Sequence, residues 1–96
     1  RLALLAKALG HPARIGIVRL LQANASCAGG DIVDRVGLAQ STTAEHLRIL
    51  RAAGIVLGEA DGPRTAYSLN PAMLAPLADF LAALAEPSGD DGLSSV

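Results

Sequence analysis

Two glycines, Gly37 and Gly54, constrain this chain more than any other residues, because each can end a helix in the left-handed conformation and there is room for only one short helix between them. The segment reads GLAQSTTAEHLRILRAAGIV. A helix is expected to open near Gln40, with Thr43, Leu47 and Leu50 recurring at spacings of four and three on one inward stripe. Before Gly37, GGDIVDRVG predicts a short helix with Ile32, Val33 and Val36 inward. Two short helices joined by so tight a turn make a helix-turn-helix. After Gly54 the period changes. IVLGEADGPRTAYSLN holds two predicted strands, Ile55 to Glu59 and Thr65 to Leu69, around the turn signal Asp61-Gly62-Pro63. A hairpin directly after the second helix of a helix-turn-helix makes a winged helix. The fold class expected is therefore α+β, mainly helical, with a two-stranded wing.

Helical periods flank this unit on both sides. RLALLAKALG sets Leu2, Leu5 and Leu9 on one face. HPARIGIVRLLQANAS can place Pro12 in a first helical turn, with Ile15, Val18 and Leu21 inward and Ile17 and Leu20 beside them. PAMLAPLADFLAALA carries Met73, Leu77, Phe80, Leu81 and Leu84 along one stripe, with Pro71 able to start the helix and Pro76 bending its first turn or shifting its start. Residues 1–86 are expected to form one winged helix-turn-helix and dimerisation domain, and 87–96 a disordered polar tail. Tyr67 and Phe80 are the only aromatics, so the core must be built from Leu, Ile, Val and Ala, which favours close helix packing. A chain this small hides only roughly 60 to 65% of its unfolded surface. Leu2, Leu5 and Leu9 with Leu77, Phe80, Leu81 and Leu84 offer more apolar helix than one subunit can easily cover, so a homodimer through the first and last helices is expected.

Charge and residue inventory narrow the function classes. Eight Lys and Arg stand against nine Asp and Glu, a formal charge of −1, so any affinity for nucleic acid must come from where the charges sit. No Ser/His/Asp cluster has compact motif spacing and no phosphate-binding glycine loop precedes Lys-Ser or Lys-Thr, so an enzyme is not expected, nor is a cofactor. No apolar run approaches the roughly 20 residues that span a bilayer. The single Cys27 allows no internal disulfide, and a cytoplasmic protein is expected.

The helix opening at Gln40 suits a DNA groove, because its outer face carries small and hydrogen-bonding groups near its N-terminus while its inner face is gripped. Gln40 can pair with an adenine edge, and Ser41 and Thr42 can bond to bases or phosphates. Arg48, on the same outer side as Ser41, suits a phosphate or a guanine. His46 lies nearer the buried edge, where packing, hydrogen bonding or a DNA contact are all open. Arg51 reads as a solvated charge or a further contact, and Arg64, at the hairpin tip, as a wing residue reaching phosphate or minor groove. Against this, Glu45 projects from the outer face and Glu59 and Asp61 add negative charge to the wing. Glu45 can accept from cytosine N4, or pair with Arg48 or Arg14. A winged helix used only for protein interaction is the alternative.

Taken together, LGHPARIGIVRLL, DIVDRVGLAQSTTAEHLRILRAAGIV and GEADGPRTAYSLNP resemble the ArsR-type family of bacterial transcriptional repressors over roughly Leu2 to Leu84. The resemblance implies a winged-helix homodimer on double-stranded, palindromic operator DNA, with Gln40, Ser41, Thr42, His46 and Arg48 on the recognition helix. It also implies release by an inducer: a metal or metalloid ion, an oxidant or another small signal. The chain departs from the commoner pattern at Ala44-Glu45, where many relatives carry a small polar residue followed by a basic one. A thiolate metal site needs several converging ligands, whereas Cys27 stands alone and the helix order sets His11 and His46 apart, so no metal site is expected. Cys27 is left as a candidate sensor or a structural buried thiol.

Overall fold

The computed structural model describes residues 1–87. The chain runs α1 (Leu2–Leu9), α2 (Pro12–Ala23), β1 (Cys27–Ala28), α3 (Gly29–Val36), α4 (Gln40–Ala52), β2 (Val56–Asp61), β3 (Arg64–Leu69) and α5 (Pro71–Ala85). Pro12 takes the first helical position of α2, and the His11 side chain caps that helix, its Nδ1 accepting from the Ala13 N–H at 3.1 Å. Gly37 ends α3 in the left-handed conformation (φ 77°), and Gly54 (φ 82°) turns the chain out of α4 into the wing. A Cβ on Gly54 would lie 2.8 Å from Met73 Cε, so close approach as well as backbone geometry requires glycine there.

The core gathers Leu5 and Ala8 of α1, Ile17 and Leu21 of α2, Ile32 of α3, Leu47 and Leu50 of α4, Ile55, Val56, and Leu77 of α5. Aliphatic side chains thus fill the interior, with Tyr67 packed at its margin. Asn70 ties the end of α4 to the start of α5, donating from its backbone to the Ile55 carbonyl and from Nδ2 to the Gly54 carbonyl. No helix among the described residues is long and apolar enough to cross a membrane.

Four expectations are corrected. The wing belongs to a three-stranded antiparallel sheet of order β1-β3-β2, because Cys27 and Ala28 pair with Tyr67 and Ala66. The hairpin is also tighter than expected: Asp61 pairs with Arg64, leaving only Gly62-Pro63 as the loop. Gly62 at φ 64° followed by proline is the type II′ arrangement, whose twist lets both strands run to the turn. In α2 the buried positions are Ile17 and Leu21, while Ile15 is 38% exposed. Helix α5 begins at Pro71, as the sequence allows, and continues through Pro76, where the lost N–H falls on an exposed turn. The stripe on α5 divides: Leu77 is buried, whereas Phe80, Leu81 and Leu84 face outward beyond the subunit. Of the segment 87–96, all but Pro87 lies outside the described residues.

Candidate nucleic-acid interface

Helix α4 is gripped on one side only. Thr43, His46, Leu47 and Leu50 are buried, and α1, α2, α3 and β2 pack against them. At 100° per residue this grip turns Ser41, Glu45, Arg48 and Ala52 to the opposite side, and all four are exposed. Gln40 and Thr42 flank this front and are exposed too. The N-cap residue is Ala39, with no side-chain cap, so the first-turn N–H groups of α4 are uncommitted to any capping side chain. That leaves a donor-rich helix end pointing outward beside Ser41 and Thr42.

Beside this front, α3, α4 and the wing line an open cleft of 530 Å³ that brings Gln40 and Arg64 together with Asp34, Thr65 and Tyr67. Further along, Arg51 lies over the Tyr67 ring, its Cζ 5.9 Å from the centroid. Its guanidinium crosses the wing at Gly58, where a Cβ would come within 2.9 Å of Cζ. Gly58 therefore makes room for an arginine, a role the chain's alternation does not disclose.

The front of α4 also carries an ion pair. Arg48 Nε donates to Glu45 Oε1 at 2.9 Å and Arg48 Nη2 to Glu45 Oε2 at 2.6 Å, a bidentate pair between exposed side chains. The hydrogen bond from Arg48, more than its charge, holds the Glu45 carboxyl below its usual range, and the same bond raises the Arg48 guanidinium.

His46 is elsewhere. It is only 8% exposed and faces α2, where its Nδ1 meets Arg14 Nη1 at 3.2 Å and its ring lies 4.5 Å from that of His11. A base or phosphate contact by this ring is therefore closed off, since α4 turns position 46 to the same side as Leu47 and Leu50. The expectation that helix order separates His11 from His46 is also corrected, because the N-terminus of α2 abuts the middle of α4. Arg14 completes the cluster, donating from Nε to the Ala8 carbonyl at 2.6 Å. Its position beside Ile15 on an apolar helix was the only hint that it is half-buried rather than solvated.

Cys27 sits apart from α4 in β1, half-buried and packed on the core. Among the described residues no three His, Cys, Asp or Glu side chains converge as a metal site would require. Thr43 Oγ1, deep behind the front of α4, is buried without a hydrogen-bond partner.

Comparison with known proteins adds an independent line. Residues 11–57 match the family described as bacterial regulatory protein, arsR family. The HTH-type transcriptional repressor SmtB of Mycobacterium tuberculosis is 40% identical over 65 residues, covering 68% of this chain and 47% of that protein. The chain thus spans about half the length of this relative. The HTH-type transcriptional regulator YgaV of Escherichia coli is 34% identical over 68 residues, covering 71% of this chain and 69% of its own. Among solved structures, a homodimeric winged helix-turn-helix DNA-binding domain from Mycobacterium bovis superposes with a TM-score of 0.71 at 24% identity, covering 85% of this chain and 76% of that one. The fold is therefore a winged helix-turn-helix.

Proposed function

The chain belongs to the arsR family of bacterial regulatory proteins, and from that premise we propose that it is a cytoplasmic transcriptional repressor, acting as a homodimer on a two-fold operator in double-stranded DNA. One observation carries the reading: α4 is buried along Thr43, His46, Leu47 and Leu50 while Ser41, Glu45 and Arg48 are exposed on its front. That is the geometry a helix needs to lie in a major groove. Ser41, Thr42 and the uncapped N–H groups meet phosphate or base edges, Gln40 reads a base edge, and Arg64 reaches the backbone from the wing.

The dimer rests on Phe80, Leu81 and Leu84 of α5 and Leu4 of α1, large apolar side chains exposed at 44, 53, 68 and 56%. A single subunit leaves them in water, and a second copy covers them. The M. bovis neighbour is itself described as homodimeric. A protein-interaction module without DNA specificity is less well supported: of the acids that would favour such a partner Glu59 and Asp61 stay exposed, but Glu45 is paired with Arg48, and the relatives are named transcriptional repressors or regulators.

Selection of duplexes from a random pool, followed by fluorescence titration at low salt, tests the reading. A palindromic consensus, with affinity falling steeply as salt rises, is expected; failure to enrich any sequence overturns it. Release by an inducer completes the proposal, with Cys27 as candidate sensor. Operator binding with and without an oxidant, on the intact protein and on Cys27→Ser, decides that role: an unchanged response in the variant removes the thiol from the mechanism.

A further inference from the structure

Both arginines of α4 are engaged by neighbours in the free protein. Arg51 is drawn aside onto Tyr67 and across Gly58. Arg48 is held by both oxygens of Glu45, which occupy its Nε and Nη2. Of the two, only Arg48 lies on the recognition front, and its charge is already matched by Glu45, while Arg51 keeps its charge but is turned aside toward the wing. Sequence-independent DNA binding depends on cations that meet phosphates, because each neutralised phosphate releases counterions. The pair is nevertheless exposed, and an exposed ion pair is weak and easily screened, so it can open when a better partner appears.

Chemistry defines that partner. Once α4 lies in a groove that excludes water, a Glu45 carboxylate parted from Arg48 keeps a hydrogen-bond donor only if the DNA supplies one, and phosphates and sugar ethers cannot donate. In the major groove both cytosine N4 and adenine N6 donate, but only beside cytosine does the paired base, guanine, supply the N7 and O6 acceptors that suit an arginine, and cytosine N4 is the amino group carboxylates read. Resting on the repressor reading above, we propose that Glu45 is a specificity-determining residue: it withholds Arg48 from phosphates and releases it where a cytosine amino group takes the guanidinium's place. Arg48 then turns to a guanine edge or the adjacent phosphate. The acidic residue at position 45 suppresses binding to the wrong sequence as well as favouring the right one.

A double-mutant cycle tests this. Wild type, Glu45→Ala, Arg48→Ala and the double variant are titrated over a salt series against a scrambled fluorescent duplex and against the duplex selected by the wild type. Both side chains are exposed, so circular dichroism should show all four proteins folded alike. Glu45→Ala is expected to bind the scrambled duplex several-fold tighter at low salt, with a log–log salt slope steeper by about one. Its ratio of selected to scrambled affinity falls several-fold, and a repeated selection relaxes the preference for cytosine at one position of each half-site. In the Arg48→Ala background these gains disappear. An unchanged slope in Glu45→Ala, or a gain that persists without Arg48, overturns the proposal, the latter because Glu45 would then act by simple repulsion. If the wild type itself shows no sequence preference the repressor reading fails with it; if both proteins discriminate equally, only the role of Glu45 falls.

Discussion

At the scale of single residues, the cluster of His46, His11 and Arg14 links the recognition helix to the rest of the subunit. Arg14 can only donate, so His46 Nδ1 must accept and the imidazole is neutral with its proton on Nε2. Burial, then the neighbouring His11, then the Arg14 cation lower the His46 pKa from its usual 6.5, against a smaller opposite pull from Glu45. The folded state therefore binds this proton more weakly than the unfolded chain does. The stability due to His46 is complete above about pH 6.5 and is lost as pH falls through the lower folded-state pKa. The urea midpoint should fall between about pH 7 and pH 5 and do so less steeply in His46→Gln; equal pH dependence in the two proteins would refute the assignment. Gly54 offers a second test. With φ at 82° and Met73 in the space of a Cβ, Gly54→Ala should cost about 1–2 kcal/mol from the backbone alone, and more as Met73 is displaced. A loss below about 0.5 kcal/mol in urea titration, the range of an ordinary surface change, would contradict it.

At the scale of elements, α4 was legible because Thr43, Leu47 and Leu50 repeat on one stripe and Gly54 marks the end. The neighbouring elements were less so, for physical reasons. Strand β1 has two residues, too few to show any period, and exists because Tyr67 and Ala66 offer a free edge. Helix α2 carries Ile15, Ile17, Val18, Leu20 and Leu21, so more than one inward face satisfies the spacing, and only packing against α1, α3, α4 and β3 selects Ile17 and Leu21. The burial of His46 was one of the readings its place near the inward stripe allowed, but its contact with His11 was hidden because the two lie far apart in the chain, and that of Arg51 because nothing in a helix pattern announces Tyr67 across the cleft. For the wing, the short Gly62-Pro63 loop puts Arg64 at the tip of β3, exposed. Arg64→Ala should therefore weaken operator and scrambled duplex alike and reduce the salt slope by about one, leaving the selected consensus unchanged. An altered consensus would mean that the wing reads bases.

At the scale of the whole molecule, the exposed part of the α5 stripe is the feature a single subunit leaves unexplained. The sequence had pointed to surplus apolar helix on α1 and α5; Leu5 and Leu77 go into the subunit core, and Leu4, Phe80, Leu81 and Leu84 are left exposed. Leu81→Glu with Leu84→Glu should convert a dimer to a folded monomer in sedimentation and lower operator affinity by roughly 100-fold or more, as the two half-sites lose their linkage. A dimer that survives both changes would place the interface elsewhere. The account as a whole depends on which face of α4 meets DNA, and amide chemical shifts recorded during titration with the selected duplex report this residue by residue. Shifts concentrated at Gln40, Ser41, Thr42, Glu45, Arg48 and Arg64, with Ile17 and Ile32 unmoved, are the predicted result. Shifts centred on α1 and α5, with the front of α4 silent, would contradict it.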